Sequence, residues 1–345
     1  MWVVLTPPPP GPFDGISDYA ARLALALDAH TPTRCVVAGQ DSLPPAADAE
    51  AVCLQYNPSA SLAQLTPEIG EWLRVVRAAG APVIVTVHEY WPPADGTLRR
   101  WWHRRAARRQ LAAFLTVATA VVVAQEISAR ELTESGIIDL PLEVVPVGSN
   151  IAVTASPTER TGGLLVFGQP AAMDPGAMHQ VALWLEGQAA GVQLRWVARS
   201  AREVHEWWVR RASGNPARLM VHEALPESLV SSLLRAATLG VAFHADGTSA
   251  RRTTLAALLT HEVPTIALVG KATDTWIAGC PALALVSMNE LTTIPATMDA
   301  VLADVARRAA MGTAAAGCAA QHVTWPVIAA RYARLLNGRA RGLAT

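Results

Sequence analysis

Short apolar runs separated by polar, helix-forming stretches recur along the whole chain. The first run, Trp2–Thr6, is ended by the proline-rich segment 7–12, and Asp14-Gly15 marks a turn after it. Ser17 then caps a leucine-rich helix. A strand, a glycine-containing turn and a helix in this order are typical of the opening of a doubly wound α/β domain.

The alternation continues through the first half of the chain. Apolar runs predict strands at residues 34–38, 51–56, 82–88, 120–124 and 142–146. The stretches between them predict helices at residues 61–79, 98–116 and 128–134. The longest apolar run, 111–124, is too short to span a bilayer, so it is interpreted as a helix that leads into a strand. Strands this apolar imply a parallel sheet covered on both faces.

A second alternating series follows a polar segment at residues 148–163. It predicts strands at residues 164–167, 193–197, 217–221, 239–243 and 265–269. It predicts helices at residues 176–185, 201–211, 227–235 and 249–259, and a helical Ala- and Arg-rich tail at 291–336. The predicted fold class is α/β, with two doubly wound Rossmann-like domains facing a cleft. The predicted division is a first domain at 1–153, a linker at 154–163, a second domain at 164–320 and a C-terminal helix at 321–345.

One segment of the second domain combines a turn with two adjacent arginines. Asp246-Gly247 predicts the turn, and Thr248 or Ser249 then caps the helix that follows. Arg251 and Arg252 fall in its first turn, where the positive end of the helix dipole disfavours them unless an anion is bound. Backbone N–H groups and two guanidinium groups suit a diphosphate. The alternative interpretation is that both side chains point into water.

Composition narrows the class of protein. The 345 residues carry 28 basic and 28 acidic side chains, and this balance argues against a nucleic-acid partner. The four cysteines form no C-x-x-C pair, so they predict neither a zinc site nor a disulfide framework. Reduced thiols in a cytoplasm fit best. No basic region precedes the first apolar residues, which argues against a signal peptide.

Several short sequence motifs, spread over nearly the whole chain, resemble the motifs of one known protein family. They are D-G-I-S-D-Y-A-A-R-L, L-Q-Y-N-P, V-I-V-T-V-H-E, V-V-P-V-G-S-N-I, L-L-V-F-G and V-T-W-P-V-I-A-A-R-Y. In this order they resemble the retaining glycosyltransferases of the GT-B architecture, close to family GT4. D-G-T-S-A-R-R-T-T-L-A-A-L-L-T-H-E-V-P resembles a variant branch of that family, with D-G-x-S-x-R-R in place of the common E-x7-E motif.

The resemblance implies transfer of a hexose-like sugar from a nucleotide diphosphate sugar to a hydroxyl of a carbohydrate or lipid-linked acceptor. It implies retention at the anomeric carbon and no cofactor or metal beyond the nucleotide sugar. The developing charge of the leaving diphosphate must be stabilised. Because that phosphate takes the acceptor proton, no dedicated protein base is required. The resemblance also implies that the closing helix crosses back to the first domain.

The matching positions give the candidate site residues. The donor-binding candidates are Gly15, Gly168, Arg199, Ser249, Arg251, Arg252 and Thr253. The acceptor-side candidates are Tyr56, Glu89 and Tyr90, and the catalytic candidate is His88, which the resemblance makes a contact to the donor sugar or phosphate. A satisfied strand-end histidine is the alternative for His88, and a solvated carboxylate is the alternative for Glu89. No metal site is predicted, because the histidines lack metal-ligand spacing.

The chain departs from the family pattern at three places. A gapless match puts Ser249 and Ala257 where the common motif has its two glutamates. Glu262 stands where the family has glycine. Gln169 and Asp174 occupy the region of two basic residues, so the phosphate role passes to Arg251, Arg252 and Arg199.

These departures leave a second class of function open. A GT-B-shaped binding subunit, catalytically impaired and acting with a partner enzyme, would also lack the two glutamates. The arginine pair favours the active enzyme instead. A sugar-nucleotide epimerase of the same fold finds no suitable carboxylate pair in the sequence.

A basic helix in the first domain carries six arginines between Arg99 and Arg109, together with Trp101 and Trp102. Such a helix can dock on anionic lipid, which would place a cytoplasmic protein peripherally at the inner membrane face. The alternative is a solvated helix face with its tryptophans in the core.

Overall fold

The computed structural model describes residues 1–9, 15–58, 66–89, 98–154, 160–189 and 191–337, and at 98–101, 103 and 104 it describes the backbone alone. The chain forms two compact units. The first contains Met1–Val147 and Trp325–Thr345, and the second contains Gly148–Thr324. The sequence-based division differs in placing residues 148–153 in the first domain.

The first unit is built on a six-stranded sheet. Its strands are β1 Trp2–Thr6, β2 Thr33–Val37, β3 Ala51–Tyr56, β4 Val83–Val87, β5 Ala120–Val123 and β6 Leu142–Val144. Its first helices are α1 Gly15–Asp28, α2 Pro67–Ala78, α3 Leu98–Leu115 and α4 Glu126–Glu134. The strand order is β2-β1-β3-β4-β5-β6, and every neighbouring pair is parallel. The apolar run 111–124 is indeed the end of a helix followed by a strand.

The second unit repeats this architecture. Its strands are β7 Leu164–Phe167, β8 Leu194–Ala198, β9 Leu219–Glu223, β10 Leu239–Ala242, β11 Thr265–Val269 and β12 Leu283–Ser287. Its helices are α5 Pro175–Glu186, α6 Ala201–Arg211, α7 Glu227–Ala236, α8 Thr253–Thr260, α9 Thr275–Ala278, α10 Ile294–Ala303 and α11 Val305–His322. The order β12-β11-β10-β7-β8-β9 is again parallel throughout.

Each sheet is covered by helices on both faces, because its strands bury apolar side chains alternately to either side. In the first sheet, Val3 and Leu5 pack in one layer of the core, whereas Trp2 and Val4 pack in the other. The predicted fold class, two doubly wound Rossmann-like domains, is therefore confirmed. The short edge strand β12 was not predicted from the sequence.

The last described helix, α12 Trp325–Leu336, packs on the first unit although it follows the second in sequence. Ile328 and Tyr332 are fully buried there, in the core layer that also contains Tyr19 and Leu23 of α1. Arg331 donates a hydrogen bond of 3.1 Å to the Val144 carbonyl. The apolar face of α12 is therefore part of the first unit's core.

Cys280 and Cys318 form a disulfide between the residue that follows the α9 cap and helix α11, with their Cα atoms 6.6 Å apart. Cys35 and Cys53 are free. The expectation that all thiols are reduced is therefore wrong for one pair. The spacing of 38 residues carries no signal, since only the fold brings these positions together. The cysteine-based argument for a reducing compartment loses its support.

None of the helices in the described part of the chain combines the length and the apolar character needed to cross a bilayer.

Candidate functional site

In the second unit, two predicted residues and one histidine that was not predicted follow strands that end at the same edge of the sheet. Gly168 follows β7, Arg199 follows β8, and His244 comes shortly after β10. These three strands are neighbours in the order β10-β7-β8. Because they are parallel, their carboxyl ends meet at one edge, which is where doubly wound domains bind ligands.

Gly168 packs against the start of helix α8. It has φ +127°, and a Cβ at this position would lie 3.0 Å from the Thr254 Oγ1 atom. Its carbonyl accepts a hydrogen bond of 2.8 Å from the Trp196 indole of β8. A side chain here would push against the first turn of α8, so glycine permits the close approach of loop and helix.

The turn after β10 is also held by a close approach of backbone. Gly247 has φ +95°, and a Cβ there would lie 2.6 Å from the Gly270 nitrogen, just after β11. In return, a Cβ on Gly270 would lie 2.7 Å from the Asp246 carbonyl. The Asp246 carbonyl also accepts a hydrogen bond of 2.9 Å from the Ala272 N–H. These contacts fix the backbone that carries the Asp246 side chain.

Asp246 contacts both predicted arginines. Arg252 Nη2 lies 2.9 Å from one carboxylate oxygen, and Arg251 Nη2 lies 3.4 Å from the other. All three side chains are partly buried. The three side chains carry two positive charges and one negative charge. Neither of the two sequence-based interpretations of Arg251 and Arg252 included a contact with the Asp246 carboxylate.

The start of α8 differs from the prediction. The helix begins at Thr253 with Arg252 as its N-cap, and the Arg252 side chain makes no capping hydrogen bond. Thr248 is not a cap, because its hydroxyl donates to the Ala242 carbonyl at 2.7 Å. The Ala250 N–H donates to a carboxylate oxygen of Asp274 at 2.6 Å. This bond from outside the segment holds residues before Thr253 in a turn, so both arginines precede the helix.

His244 and Ser249 are buried polar residues beside this cluster. His244 is 1% exposed, and neither its Nδ1 nor the Ser249 hydroxyl has a hydrogen-bond partner among the described residues. Burial, together with the smaller effect of the nearby Arg252, lowers the pKa of His244 to about 3. His244 is therefore neutral at physiological pH. Sequence reasoning had no signal for it beyond its position after a strand.

The other predicted residues of this unit take various positions. Thr253 is the first, half-buried residue of α8, whereas the Arg199 side chain is exposed at the edge of the sheet. Asp174, which falls near a basic position of the family, caps α5 by accepting a hydrogen bond of 2.8 Å from the Ala177 N–H. Asp174 therefore has a structural role as the N-cap of α5.

Glu262, the third departure from the family, keeps the backbone conformation that glycine favours. Its φ is +59°, and its N–H donates to the Leu259 carbonyl at 3.0 Å just after α8 ends. Its carboxylate lies 3.4 Å from Arg235 of α7. A left-handed residue after a helix is the usual C-terminal cap, with glycine as its commonest occupant. Glu262 thus meets the geometric requirement at some conformational cost.

In the first unit, His88 follows β4, and its Nε2 lies 2.8 Å from the Gln55 Oε1 atom of β3. Its ring lies edge-on to Tyr19, with centroids 5.1 Å apart and an interplanar angle of 81°. The His88 N–H donates to the Tyr56 carbonyl at 3.0 Å, which continues the parallel ladder. His88 is half-buried, and Gln55 was missed by sequence reasoning because glutamine at a strand end has no distinctive pattern.

Tyr56, predicted on the acceptor side, is instead a core residue. Its side chain is fully buried, its hydroxyl donates to the Ala107 carbonyl at 2.9 Å, and its ring packs near Phe114. Burial raises its hydroxyl pKa. The alternation of side chains along β3 directs Tyr56 into the core under α3, so its hydroxyl is not a candidate contact.

Three other predicted features of this unit are only partly described. Glu89 is exposed, and Tyr90 lies outside the described residues. Gly15 begins α1, and a Cβ there would meet no described atom within 4 Å. Its predicted approach to a donor remains a prediction, since residues 10–14 lie outside the described part.

The basic helix is α3. Arg105, Arg108 and Arg109 are exposed, and Trp102 is 57% exposed. The interpretation that places the tryptophans in the core is therefore wrong for Trp102. Core contacts come from Ala107, Leu111 and Phe114 on the same helix. The side chains at 99–101, 103 and 104 lie outside the described part of the chain.

Among the described residues, no group of three or more His, Cys, Asp or Glu side chains is arranged to hold a metal ion.

No protein-family model matches the chain, and a search of curated proteins finds no match. Solved structures are similar in fold. A sucrose-phosphate synthase from Thermosynechococcus elongatus is 13% identical, with 98% of this chain and 99% of that chain covered and a TM-score of 0.66. WaaG, a glycosyltransferase involved in lipopolysaccharide biosynthesis, is 12% identical, with 97% and 100% covered and a TM-score of 0.63.

HepE from Anabaena, solved in complex with UDP and glucose, is 14% identical, with 98% of this chain and 100% of that chain covered and a TM-score of 0.65. Identities this low show a common fold. The chain thus shares its two Rossmann-like domains with proteins of the GT-B glycosyltransferase architecture.

Proposed function

We propose that the protein is a GT4-like retaining glycosyltransferase. It transfers a hexose-like sugar from a nucleotide diphosphate sugar to an acceptor hydroxyl without a metal ion. The observation that carries this proposal is the cluster of Arg251, Arg252 and Asp246 immediately before helix α8. The fold shared with HepE, whose structure contains UDP and glucose, supports it.

The arginine pair and the helix start would bind the donor diphosphate. No side chain caps α8, and its first-turn N–H groups at Thr253 and Thr254 follow Arg251 and Arg252 directly in the chain. Each charge-assisted hydrogen bond to a phosphate contributes roughly 1.5–3 kcal/mol. Interactions that strengthen as the leaving diphosphate gains charge lower the barrier to transfer.

The missing glutamates are compatible with this mechanism. The two family glutamates are replaced by Ser249, which is buried in the turn, and by Ala257, which is fully buried in the body of α8. Neither position therefore carries a carboxylate. In the proposed reaction the leaving phosphate accepts the proton of the attacking hydroxyl. The protein then contributes positioning and electrostatic stabilisation, with His88 contacting the donor.

The proposed acceptor is a carbohydrate or a lipid-linked sugar, approached from the side of Glu89 and Tyr90. The exposed Trp102 and the exposed arginines of α3 support peripheral contact with an anionic membrane surface. This contact would bring the enzyme to a lipid-linked acceptor at the inner membrane face.

The first experiment is a thermal-shift screen against UDP, GDP, ADP and their sugars, followed by calorimetry on Arg251→Ala, Arg252→Ala and the double variant. Arg210→Ala with Arg211→Ala, exposed in the last turn of α6, is the matched control. We expect the site variants to lose affinity by at least about tenfold and the control to keep it. Unchanged affinity in the double variant would contradict the proposed phosphate site.

The second experiment measures nucleotide diphosphate release with chelator present, over a panel of donors and a mixture of acceptors from a lysate. Release in chelator supports the metal-free mechanism, and activity that returns only with manganese contradicts it. Nucleotide binding without release from any donor would instead support the binding-subunit function. The anomeric configuration of the product tests retention directly.

A further inference from the structure

Asp274 is a buried carboxylate that directly precedes helix α9. The residue is 1% exposed, and although it is the N-cap of α9, its carboxylate makes no capping hydrogen bond to that helix. One carboxylate oxygen instead accepts a hydrogen bond of 2.6 Å from the Ala250 N–H, 24 residues earlier in the chain. Asp274 therefore acts on the turn that precedes helix α8.

The turn at 246–250 is held at both ends by the segment that follows β11. At its start, the Asp246 carbonyl accepts a hydrogen bond of 2.9 Å from the Ala272 N–H. At its end, the Ala250 N–H donates to Asp274. The conformation of the turn therefore depends on residues that are distant in sequence.

Helix α9 is itself anchored to helix α11 by two contacts. The disulfide joins Cys280, two residues after α9 ends, to Cys318 of α11. The Trp276 ring of α9 stacks on the His322 ring of α11, with centroids 4.4 Å apart and an interplanar angle of 16°. These contacts fix α9 and, with it, the position of the Asp274 carboxylate.

The sequence offers a second, earlier start for helix α8. Ser249 is a favourable N-cap residue, and its buried hydroxyl has no hydrogen-bond partner among the described residues. With Ser249 as N-cap, residues 250–252 would form the first helical turn, and the Ala250 N–H would be one of the N–H groups that a helix start leaves unpaired. Because Asp274 accepts this N–H in the observed turn, it favours the later start at Thr253.

The start of α8 determines whether the two arginines reach one ligand. Consecutive side chains of a helix are rotated by roughly 100° about its axis, so Arg251 and Arg252 would diverge within a first turn. In the structure Arg252 has extended backbone, with φ −95° and ψ 108°. Both guanidinium groups then contact the same Asp246 carboxylate. Two guanidinium groups that meet on one carboxylate can also meet on one phosphate group.

We propose that Asp274 is a positioning residue: it accepts the Ala250 N–H, keeps residues 250–252 out of helix α8, and so directs Arg251 and Arg252 to one anion. This inference rests on the proposed function in one respect, the binding of a diphosphate by the two arginines. In this role a carboxylate strengthens anion binding although its own charge opposes it.

The start of α8 is tested in wild-type protein without any ligand. Hydrogen exchange, measured residue by residue by nuclear magnetic resonance, should show the Ala250 amide protected, because it is buried and bonded to a carboxylate. The same amide should lose protection in Asp274→Ala. Rapid exchange of the Ala250 amide in folded wild-type protein would overturn the proposal, and this measurement remains decisive if the variant does not fold.

Calorimetry with inorganic pyrophosphate tests the effect on the arginines. Asp274→Ala should bind pyrophosphate on the order of tenfold more weakly, because one of two charge-assisted contacts is misdirected. Charge alone predicts the opposite, since the variant removes a carboxylate near an anion site. Asp274→Asn keeps an acceptor oxygen for the Ala250 N–H and should bind at least as tightly as the wild type. Unchanged or tighter binding by folded Asp274→Ala would overturn the proposal.

Asp304→Ala is the matched control. Asp304 caps α11 by accepting a hydrogen bond of 2.8 Å from the Arg307 N–H, so this variant removes the same type of bond in the same unit. It should leave the affinity for pyrophosphate unchanged. An equal loss in Asp304→Ala would mean that general destabilisation, and not positioning, weakens binding.

A double-mutant comparison shows whether Asp274 acts through the arginine pair. In protein that already carries Arg252→Ala, Asp274→Ala should cause a smaller loss of affinity, because only one arginine is left to orient. An equal loss in both backgrounds would contradict the positioning role. Wild-type protein that binds neither pyrophosphate nor UDP would contradict the proposed function and the ligand assigned to the arginines, whereas the exchange measurement would still decide where α8 starts.

Discussion

The Arg252 guanidinium donates a hydrogen bond of 2.9 Å to the carboxylate of Asp246, six residues earlier in the chain. The same carboxylate lies 3.4 Å from Arg251. A bound diphosphate would share both arginines with Asp246, so the carboxylate opposes the binding of an anion while it orients the two side chains.

The substitution Asp246→Asn should therefore strengthen nucleoside diphosphate binding. The introduced amide would retain an acceptor oxygen but remove one negative charge near two arginines. Since the pair is partly exposed, we expect an increase of about three- to tenfold in affinity, measured by calorimetry at low salt. Glu290→Gln, an exposed change in the same unit, is the control. Weaker binding by Asp246→Asn would mean that orientation of the arginines outweighs their neutralisation.

Buried His244 should make the protein less stable in mild acid. Its folded pKa is lowered to about 3, below its ordinary value of 6.5, so the unfolded chain binds the proton first as the pH falls. Stability from this group is complete above pH 6.5 and declines from there toward pH 3. We expect a loss of about 2 kcal/mol between about pH 7 and pH 5, and a smaller loss in His244→Gln.

Urea unfolding of the second unit at several pH values measures this effect. Equal pH dependence in the wild type and in His244→Gln would show that His244 does not cause it. His261, fully buried with its pKa lowered mainly by burial, adds a contribution of the same sign that remains in the variant.

Glu262→Gly and Glu262→Gln form a matched pair that isolates backbone strain. Both variants lose the carboxylate that faces Arg235, but only glycine adopts φ +59° without a Cβ penalty. We expect Glu262→Gly to be more stable than Glu262→Gln by about 1 kcal/mol. Thermal unfolding measures the difference, and a less stable glycine variant would show that side-chain packing outweighs the strain.

Reduction of the Cys280–Cys318 disulfide should destabilise the second unit. The bond closes a loop of 38 residues, and the chain-entropy model gives about 4 kcal/mol for a loop of this length. We expect a lower urea midpoint for the second unit with reductant or in Cys318→Ser. Cys35→Ser, at a free cysteine of the first unit, should leave that midpoint unchanged. Identical midpoints with and without reductant would contradict the prediction.

Charge reversal on α3 tests the membrane contact. We expect wild-type protein to bind vesicles of phosphatidylcholine with phosphatidylglycerol more tightly than vesicles of phosphatidylcholine alone. Replacement of Arg105, Arg108 and Arg109 by glutamate should weaken binding on the order of a hundredfold, at about 1 kcal/mol per basic residue. Arg210→Glu with Arg211→Glu is the control. Co-sedimentation measures binding. Wild-type protein that binds anionic vesicles no more tightly than vesicles of phosphatidylcholine alone would contradict the proposed membrane contact.

Much of the fold could be predicted because buried parallel strands appear in the sequence as continuous apolar runs. The runs at β1, β3, β7 and β11 have the predicted bounds. Edge strand β12 was missed because its five residues lie between turn signals and pair with a single neighbour. The start of α8 was misplaced because Asp274, distant in sequence, holds the preceding residues in a turn.

The candidate site was less predictable, because its chemistry depends on contacts between distant residues. Arg251 and Arg252 stood out as adjacent charges, yet Asp246 was interpreted only as a turn former. Gln55 could not be recognised from the sequence, because only the fold brings its side chain into contact with His88, 33 residues away. Tyr56 was misassigned because the side chain of the last residue of a strand can lie on either face of the sheet. In the structure it lies on the buried face under α3.

Helix α12 makes the first unit discontinuous, and this has a consequence for biosynthesis. The ribosome releases residues 1–147 long before it makes Tyr332, so the face of the first sheet under α1 and α12 stays incomplete until α12 has been made. The second unit is contiguous and can mature earlier. A stop codon after Thr324 would leave a complete second unit tethered to an apolar surface that chaperones and proteases recognise.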